Sequence, residues 1–386
     1  MTSVTVHGVA ARGFGRVADV FADLFAHRGE SGAAVALVLD GRTVVDLWAG
    51  VADTRTGRPW TADTTTSVFS CTKGLLTICA YLAVQRGELD LDAPVARYWP
   101  EFGQEGKDDV PVRWLFSHRV GLPVVDRDLT MADVLAWSPV VRALARQKPL
   151  WAPGTAHSYH TMSFGWLVGE VLRRATGRTP GRLVAGELAE PLGMRTWLGL
   201  PDPERESVAW TLAAPEAERA IPVHPVNARA RTMCGAFPFP ADDDGNVVFN
   251  EPAVRAAGLP GAGLISTARD LARVYAACVS EVDGGRLLAP TSVADALVVR
   301  SEGQEVYGPP YAGRRWGTGF LLNSPPTRRM LTDVSFGHDG AGGHLAFADP
   351  ALRAGFGYVT TRMRGPADDR SNLLTAAVRD CLAIAA

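Results

Sequence analysis

Ser67-Val-Phe-Ser-Cys-Thr-Lys-Gly-Leu-Leu76 is the stretch from which the rest of the chain can be read. Leu75, Thr77, Ala80 and Leu82 continue it as a helix beginning near Ser70, so residues three apart share a face and the Lys73 amine lies beside the Ser70 hydroxyl. Serine is a weak nucleophile at its own pKa and needs a neighbouring base, while the first turn of a helix offers unpaired N–H groups to a developing oxyanion. A helix start without chemistry would look similar over four residues. Lysine usage separates the two readings: of 39 basic residues only Lys73, Lys107 and Lys148 are lysines. Arginine cannot act as a base, whereas a lysine, starting from a pKa of about 10.4, loses its proton when burial disfavours its charge. Cys71 adjoins the serine, but no His–Asn or His–Asp companion pattern supports it as the nucleophile.

Working outward, 386 residues with 47% hydrophobic content suffice for one large core or two closely joined domains. The formal charge of −2 comes with no long run of one sign, which excludes a nucleic-acid or polybasic membrane surface and leaves small molecules as the expected ligands. The first residues lack a basic region followed by an apolar stretch, and no window of 18 apolar residues occurs, so a cytoplasmic protein is expected. Five scattered cysteines without a C-x-x-C pair argue against a disulfide framework and a zinc site. His157, His160, His338, Asp339 and His344 form no H-E-x-x-H or H-x-H-x-D-H pattern; neither metal nor cofactor is expected. G-x-S-x-G, G-x-G-x-x-G and Walker motifs are missing, which removes the α/β-hydrolase, dinucleotide and nucleotide readings.

Apolar periodicity predicts an amphipathic helix over 11–27, then two strands, 32–40 and 42–51, joined at Asp40-Gly41 as a hairpin. The Ser70 helix should stop near Gly87, with further helices at 164–176, 181–189 and 268–279. Residues 200–260 read as long surface loops. Strand patterns return at 316–322, 331–337, 343–348 and 354–361, and a helix is expected from Ser371 to Ala386. The expected fold is α/β (α+β): an antiparallel sheet flanked by helices and built from both chain ends, 1–65 and 255–386, with a mainly helical domain, 66–254, inserted between them.

A serine–lysine pair is completed by a polar group across the cleft. Tyr159, in a loop just before the helix at 164, is one candidate. His338 lies in a strand-like segment, Phe336-Gly-His-Asp-Gly-Ala-Gly-Gly-His344, whose glycines let backbone approach a ligand closely and offer a second oxyanion donor. Each has a plain structural alternative, a buried tyrosine or a glycine-rich turn.

The three segments occur in an order that resembles the serine β-lactamase and penicillin-binding-protein superfamily. The likeness is to class C-type β-lactamase-like proteins and especially family VIII carboxylesterases. Ser70-Cys-Thr-Lys73 matches S-x-x-K, Tyr159-His-Thr161 falls at the Y-x-N position, His338-Asp-Gly340 at the K-T-G or H-T-G position, and Leu115-Phe-Ser-His-Arg-Val-Gly-Leu-Pro123 is similar to L-L-S-H-x-x-G-L-P. The resemblance implies acylation of Ser70, proton exchange through Lys73 and Tyr159, an oxyanion hole from the N–H groups of Ser70 and Ala341, and a binding role for Gly340, Ala341, His338 and Thr161. Thr161 replaces the usual asparagine, and His338 the lysine that helps hold a β-lactam carboxylate. Both departures point away from β-lactams. The expected function is a serine hydrolase forming an acyl-enzyme, a carboxylesterase on small esters. The alternatives are a transacylase delivering to an alcohol or amine, then a β-lactamase or D-peptidase, then a non-catalytic binding protein. The expected partner is a small ester or amide, with oligomeric state open.

Overall fold

The computed structural model describes residues 4–219, 223–308, 313–365 and 367–384. Its main sheet has eight strands: β1 (Val6–Ala10), β2 (Gly32–Leu39), β3 (Arg42–Asp53), β4 (Arg58–Pro59), β8 (Leu321–Leu322), β9 (Phe336–Gly340), β10 (His344–Asp349) and β11 (Ala354–Thr360). The order is β1-β3-β2-β11-β10-β9-β8, with β4 on β3, and every paired neighbour is antiparallel. Both chain ends thus supply one sheet, joined where β11 pairs with β2, Ala354 opposite Leu39 through Thr360 opposite Ala33. A second sheet joins β5 (Thr66–Ser67), β6 (Trp197–Leu198) and β7 (Leu264–Ser266).

Strand alternation divides the core in two. Val35, Leu37, Leu345, Phe347 and Phe356 face the helices Gly15–His27 (α1) and Arg370–Cys381, whose Val17, Phe21, Leu24, Leu374 and Val378 close that layer. Ala34, Ala36, Ala346, Ala348 and Val359 face the helix Ala268–Val279 and the long helix Cys71–Gln85 (α2). Glycines set the closeness of the second layer. A Cβ at Gly355 would stand 2.0 Å from the Ala272 carbonyl oxygen, and one at Gly357 2.3 Å from that of Ala268. The helix therefore lies directly on β11.

Helix α2 is buried all round, from Cys71 to Ala83, as expected for a helix passing through the middle of a core. Helices also form at Ser163–Thr176 and Ala268–Val279, and the 181–189 region is a short α-helix, Pro180–Val184, running into a π turn, Ala185–Ala189. Two strand expectations shrink. Residues 331–335 turn instead of extending, because Thr332 and Ser335 donate to the Asp349 carboxylate through hydroxyls 2.6 Å away; β9 begins only at Phe336. At 316–322 the Gly317 N–H donates to Phe320, and Gly319 takes a φ of 78°, so only Leu321–Leu322 pairs as a strand. The 200–260 region is irregular with short helices such as Pro225–Arg231 and Pro252–Ala257. Its residues 220–222, and residues 385–386 of the expected C-terminal helix, lie outside the described residues. No helix among the described residues is long and apolar enough to cross a membrane.

Candidate active site

The chain turns sharply into α2. Val68 donates its N–H to Leu264 of β7 at 2.9 Å, and Phe69 sits at a φ of 47°, a left-handed conformation that a bulky residue adopts only when its surroundings impose it. The Phe69 ring is buried and meets Phe249 edge-on at 4.9 Å, with Phe239 and His344 also in contact. This anchor presents Ser70 at the head of the helix. Ser70 makes no side-chain capping bond to the helix, so its hydroxyl is left for other partners.

Those partners are the predicted ones. Lys73 Nζ lies 3.0 Å from Ser70 Oγ, and donates to the Gly261 carbonyl at 2.8 Å. Tyr159 borders the same cavity as Ser70, and its hydroxyl is close enough to be influenced by the Ser70 side chain. Lys73 is fully buried, and burial brings its pKa down to about 7, with Asp339 pulling upward and Arg314 downward. Burial pushes the Tyr159 hydroxyl well up, the nearby Ser70 side chain offsetting only part. The two groups are thereby distinguished: near neutrality the amine gives up its proton and the phenol keeps its own. With Lys73 neutral, the Ser70 hydroxyl donates to the amine, the arrangement a general base requires.

Glycines bring the supporting elements into place. Gly261 reaches Lys73 because Gly165, on the helix Ser163–Thr176, leaves room for the loop; a Cβ there would be 2.2 Å from Gly261 N. On α2 a Cβ at Gly74 would meet the Tyr275 hydroxyl at 2.0 Å. The end of β9 abuts the turn into α2, where a Cβ at Gly340 would be 2.3 Å from the Val68 carbonyl oxygen and Cys71 Sγ donates to the His338 carbonyl at 3.3 Å. Cys71 is buried, which raises its thiol far above the range in which thiolate forms. It is a packing residue.

Tyr159 is held from several sides. Its N–H donates to Glu305 Oε2 at 2.9 Å, its ring stacks on Trp316 at 5.2 Å, and the His118 ring meets it edge-on at 4.8 Å. His118, from the Leu115–Pro123 segment, accepts the His160 N–H at Nδ1, while His160 Nε2 accepts from Leu122 N. Both imidazoles are buried, which lowers their pKa values and keeps them neutral. That segment therefore acts as a brace for the tyrosine loop.

A cavity of about 340 Å³ opens over these groups, bordered by Ser70, Tyr159, Thr161, Gly340 and Ala341. His338 is not on its wall. Its ring is fully buried against Trp316 and Tyr159, its Nδ1–H donates to the Asp339 carbonyl, and burial lowers it to about 3. The neighbouring Asp339 is on the wall instead, accepting from Arg314 Nη2 at 2.9 Å and Arg328 Nη2 at 3.4 Å. Burial works to raise its carboxyl, but the two arginines overcome this and hold it at about 2. Sequence reasoning missed Asp339, Arg314, Arg328, Glu305 and the Gly261 carbonyl. Asp339 lies inside the His338–Gly340 motif, whereas the arginines come from a segment without periodicity. Among the described residues no group of three or more His, Cys, Asp or Glu side chains is arranged to hold a metal ion.

The family model described as "Beta-lactamase" matches residues 17–379. The chain is 33% identical to the esterase/beta-lactamase LipL of Mycobacterium tuberculosis over 94% of its own length and 84% of that protein. It is 30% identical to the esterase EstB of Burkholderia gladioli, covering 95% of this chain and 94% of EstB. A crystal structure of a family VIII carboxylesterase superposes with a TM-score of 0.86 at 34% identity, covering 98% of this chain and all of the other.

Proposed function

The chain belongs to the beta-lactamase family, and from that premise we propose that this serine hydrolase is a carboxylesterase that takes small esters through an acyl-enzyme on Ser70. The observation that carries the reading is the buried Lys73 amine, 3.0 Å from Ser70 Oγ with a pKa of about 7. In the proposed sequence neutral Lys73 accepts the Ser70 proton as Oγ attacks the ester carbonyl carbon. The carbonyl oxygen becomes an oxyanion facing the N–H groups of Ser70 and Ala341. Collapse breaks the bond to the leaving oxygen, which takes the proton from Lys73 by way of the Tyr159 hydroxyl. Water then attacks the acyl-enzyme with the same groups in reverse order, releasing the carboxylic acid and restoring Ser70.

The buried His338 supports uncharged esters over β-lactams, since it stands where the family's lysine helps hold a β-lactam carboxylate and its ring does not border the cavity. The test combines two measurements. A fluorophosphonate should label the peptide containing Ser70, and p-nitrophenyl acetate or butyrate should yield free acid as the main product. Labelling at Cys71 or Ser163 would remove the assignment. Ester or amide products in place of acid, when alcohols or amines are titrated in, would move the reading to an acyltransferase.

A further inference from the structure

Asp339 is a carboxylate placed at the active-site wall, and what it binds is informative. Its Oδ2 receives Arg314 from one side and Arg328 from the other. Arg314 also lies over the rings of Tyr159 and Trp316, at 6.0 and 5.9 Å, which carries its positive charge beside the proposed proton relay. Arg328 is secured from behind by Ser371 and, at 3.3 Å, by Asn372 Oδ1. Two guanidinium groups converging on one point form a site for a carboxylate, the geometry that arginine favours. Here the carboxylate comes from the protein.

We propose that Asp339 occupies an anion-binding position formed by Arg314 and Arg328, so that the cavity takes esters with neutral acyl chains and turns away those whose acyl chain ends in a carboxylate. The inference deepens the esterase reading and rests on it for the location of the acyl group. An anionic chain finds both arginines already bound to Asp339, so the attraction that would offset its desolvation is taken up within the protein. A neutral chain carries no charge to desolvate and needs no such partner.

The experiment compares kcat/KM for p-nitrophenyl butyrate and mono-p-nitrophenyl glutarate, because their ratio within one variant cancels any change in the Ser70–Lys73 pair. The wild-type enzyme should prefer the butyrate. Asp339→Asn should raise the glutarate-to-butyrate ratio by about tenfold or more, which corresponds to about 1.4 kcal/mol of changed discrimination. Arg314→Gln should shift the ratio the opposite way, leaving Asp339 less compensated. An unchanged ratio in folded Asp339→Asn, or a wild type that prefers the glutarate ester, overturns the inference and leaves the esterase reading standing. If wild type turns over neither ester, the esterase reading fails, and glutarate binding followed by tryptophan fluorescence decides the inference by itself. Tighter glutarate binding by Asp339→Asn than by wild type supports it; equal binding removes it.

Discussion

The base role proposed for Lys73 rests on the loss of its hydration shell, since the desolvation that lowers its pKa to about 7 outweighs the opposing pull of Asp339. With the neutral amine as base, kcat/KM for p-nitrophenyl butyrate should rise through about pH 7 and level above it, the buried Tyr159 hydroxyl remaining protonated throughout that range. Lys73→Arg keeps a positive charge but removes the base, so it should lose two or more orders of magnitude, nearly as much as Lys73→Ala. Retention of most activity by the arginine variant would reduce Lys73 to an electrostatic anchor. The same shift has a stability consequence with a definite sign. The folded value lies below the unfolded value of about 10.4; under pH 7 both states carry the proton and the burial penalty is borne in full. Between about pH 7 and 10 the unfolded chain binds more protons, so wild-type stability should rise with pH relative to Lys73→Met. Denaturant midpoints of the two proteins across that window test it. Ser70→Ala should abolish turnover at only a modest cost in the midpoint, because the hydroxyl makes no capping bond to the helix and Lys73 keeps the Gly261 carbonyl as a partner.

At the scale of elements, the site depends on the end of β9 lying against the turn into α2. Gly340→Ala would place a methyl 2.3 Å from the Val68 carbonyl oxygen, and backbone on both sides must shift to admit it. We expect a cost of about 1–3 kcal/mol, the usual scale for overpacking, together with a fall of tenfold or more in kcat, because Ala341 follows directly and Ser70 lies two residues beyond Val68. A variant with reduced stability and wild-type kcat would show that the oxyanion donors are set elsewhere. This contact marks what the sequence could and could not reveal. The helix at Ser70, the hairpin at Asp40-Gly41 and the helix Ala268–Val279 were legible because periodicity and turn chemistry act within a few residues. The approach of Lys73 and Tyr159 to Ser70 was legible through spacing and order of motifs. The choice between His338 and Asp339 was not. Adjacent strand residues point to opposite faces, and which one meets the cavity depends on register against β10, where His338 pairs with Ala346 and Asp339 with Leu345. Arg314 and Arg328 reach the site from an irregular segment, and nothing in a local pattern announces where such a segment passes.

Over the whole molecule, the two chain ends are tied together by one buried network that also touches the active site. Glu30, just before β2, accepts from the hydroxyls of Tyr358 and Thr360 on β11 and from Arg370 at the start of the last helix, the latter at 2.6 Å. Arg370, 1% exposed, donates in turn to the Gly342 carbonyl at 2.7 Å and pairs with Asp368. The N-terminal region, the C-terminal helix and the turn after Ala341 are thus held by a single cation. Removing one partner of a buried ion pair leaves an uncompensated charge, which commonly costs 3–5 kcal/mol. For Glu30→Gln the low end, about 3 kcal/mol, is expected, because Asp368 still faces the guanidinium and the amide retains one acceptor oxygen. The loss should not be confined to stability. With Arg370 less firmly placed, the Gly342 carbonyl is released and the neighbouring Ala341 N–H is oriented less well, so kcat for p-nitrophenyl butyrate should fall with little change in KM. Urea unfolding and steady-state kinetics, the latter at a urea-free temperature well below the variant's Tm, separate the two effects. A variant that is destabilised but keeps full kcat would make the network a clasp between chain ends alone, whereas a stability loss under about 1 kcal/mol would mean that Asp368 suffices to balance Arg370.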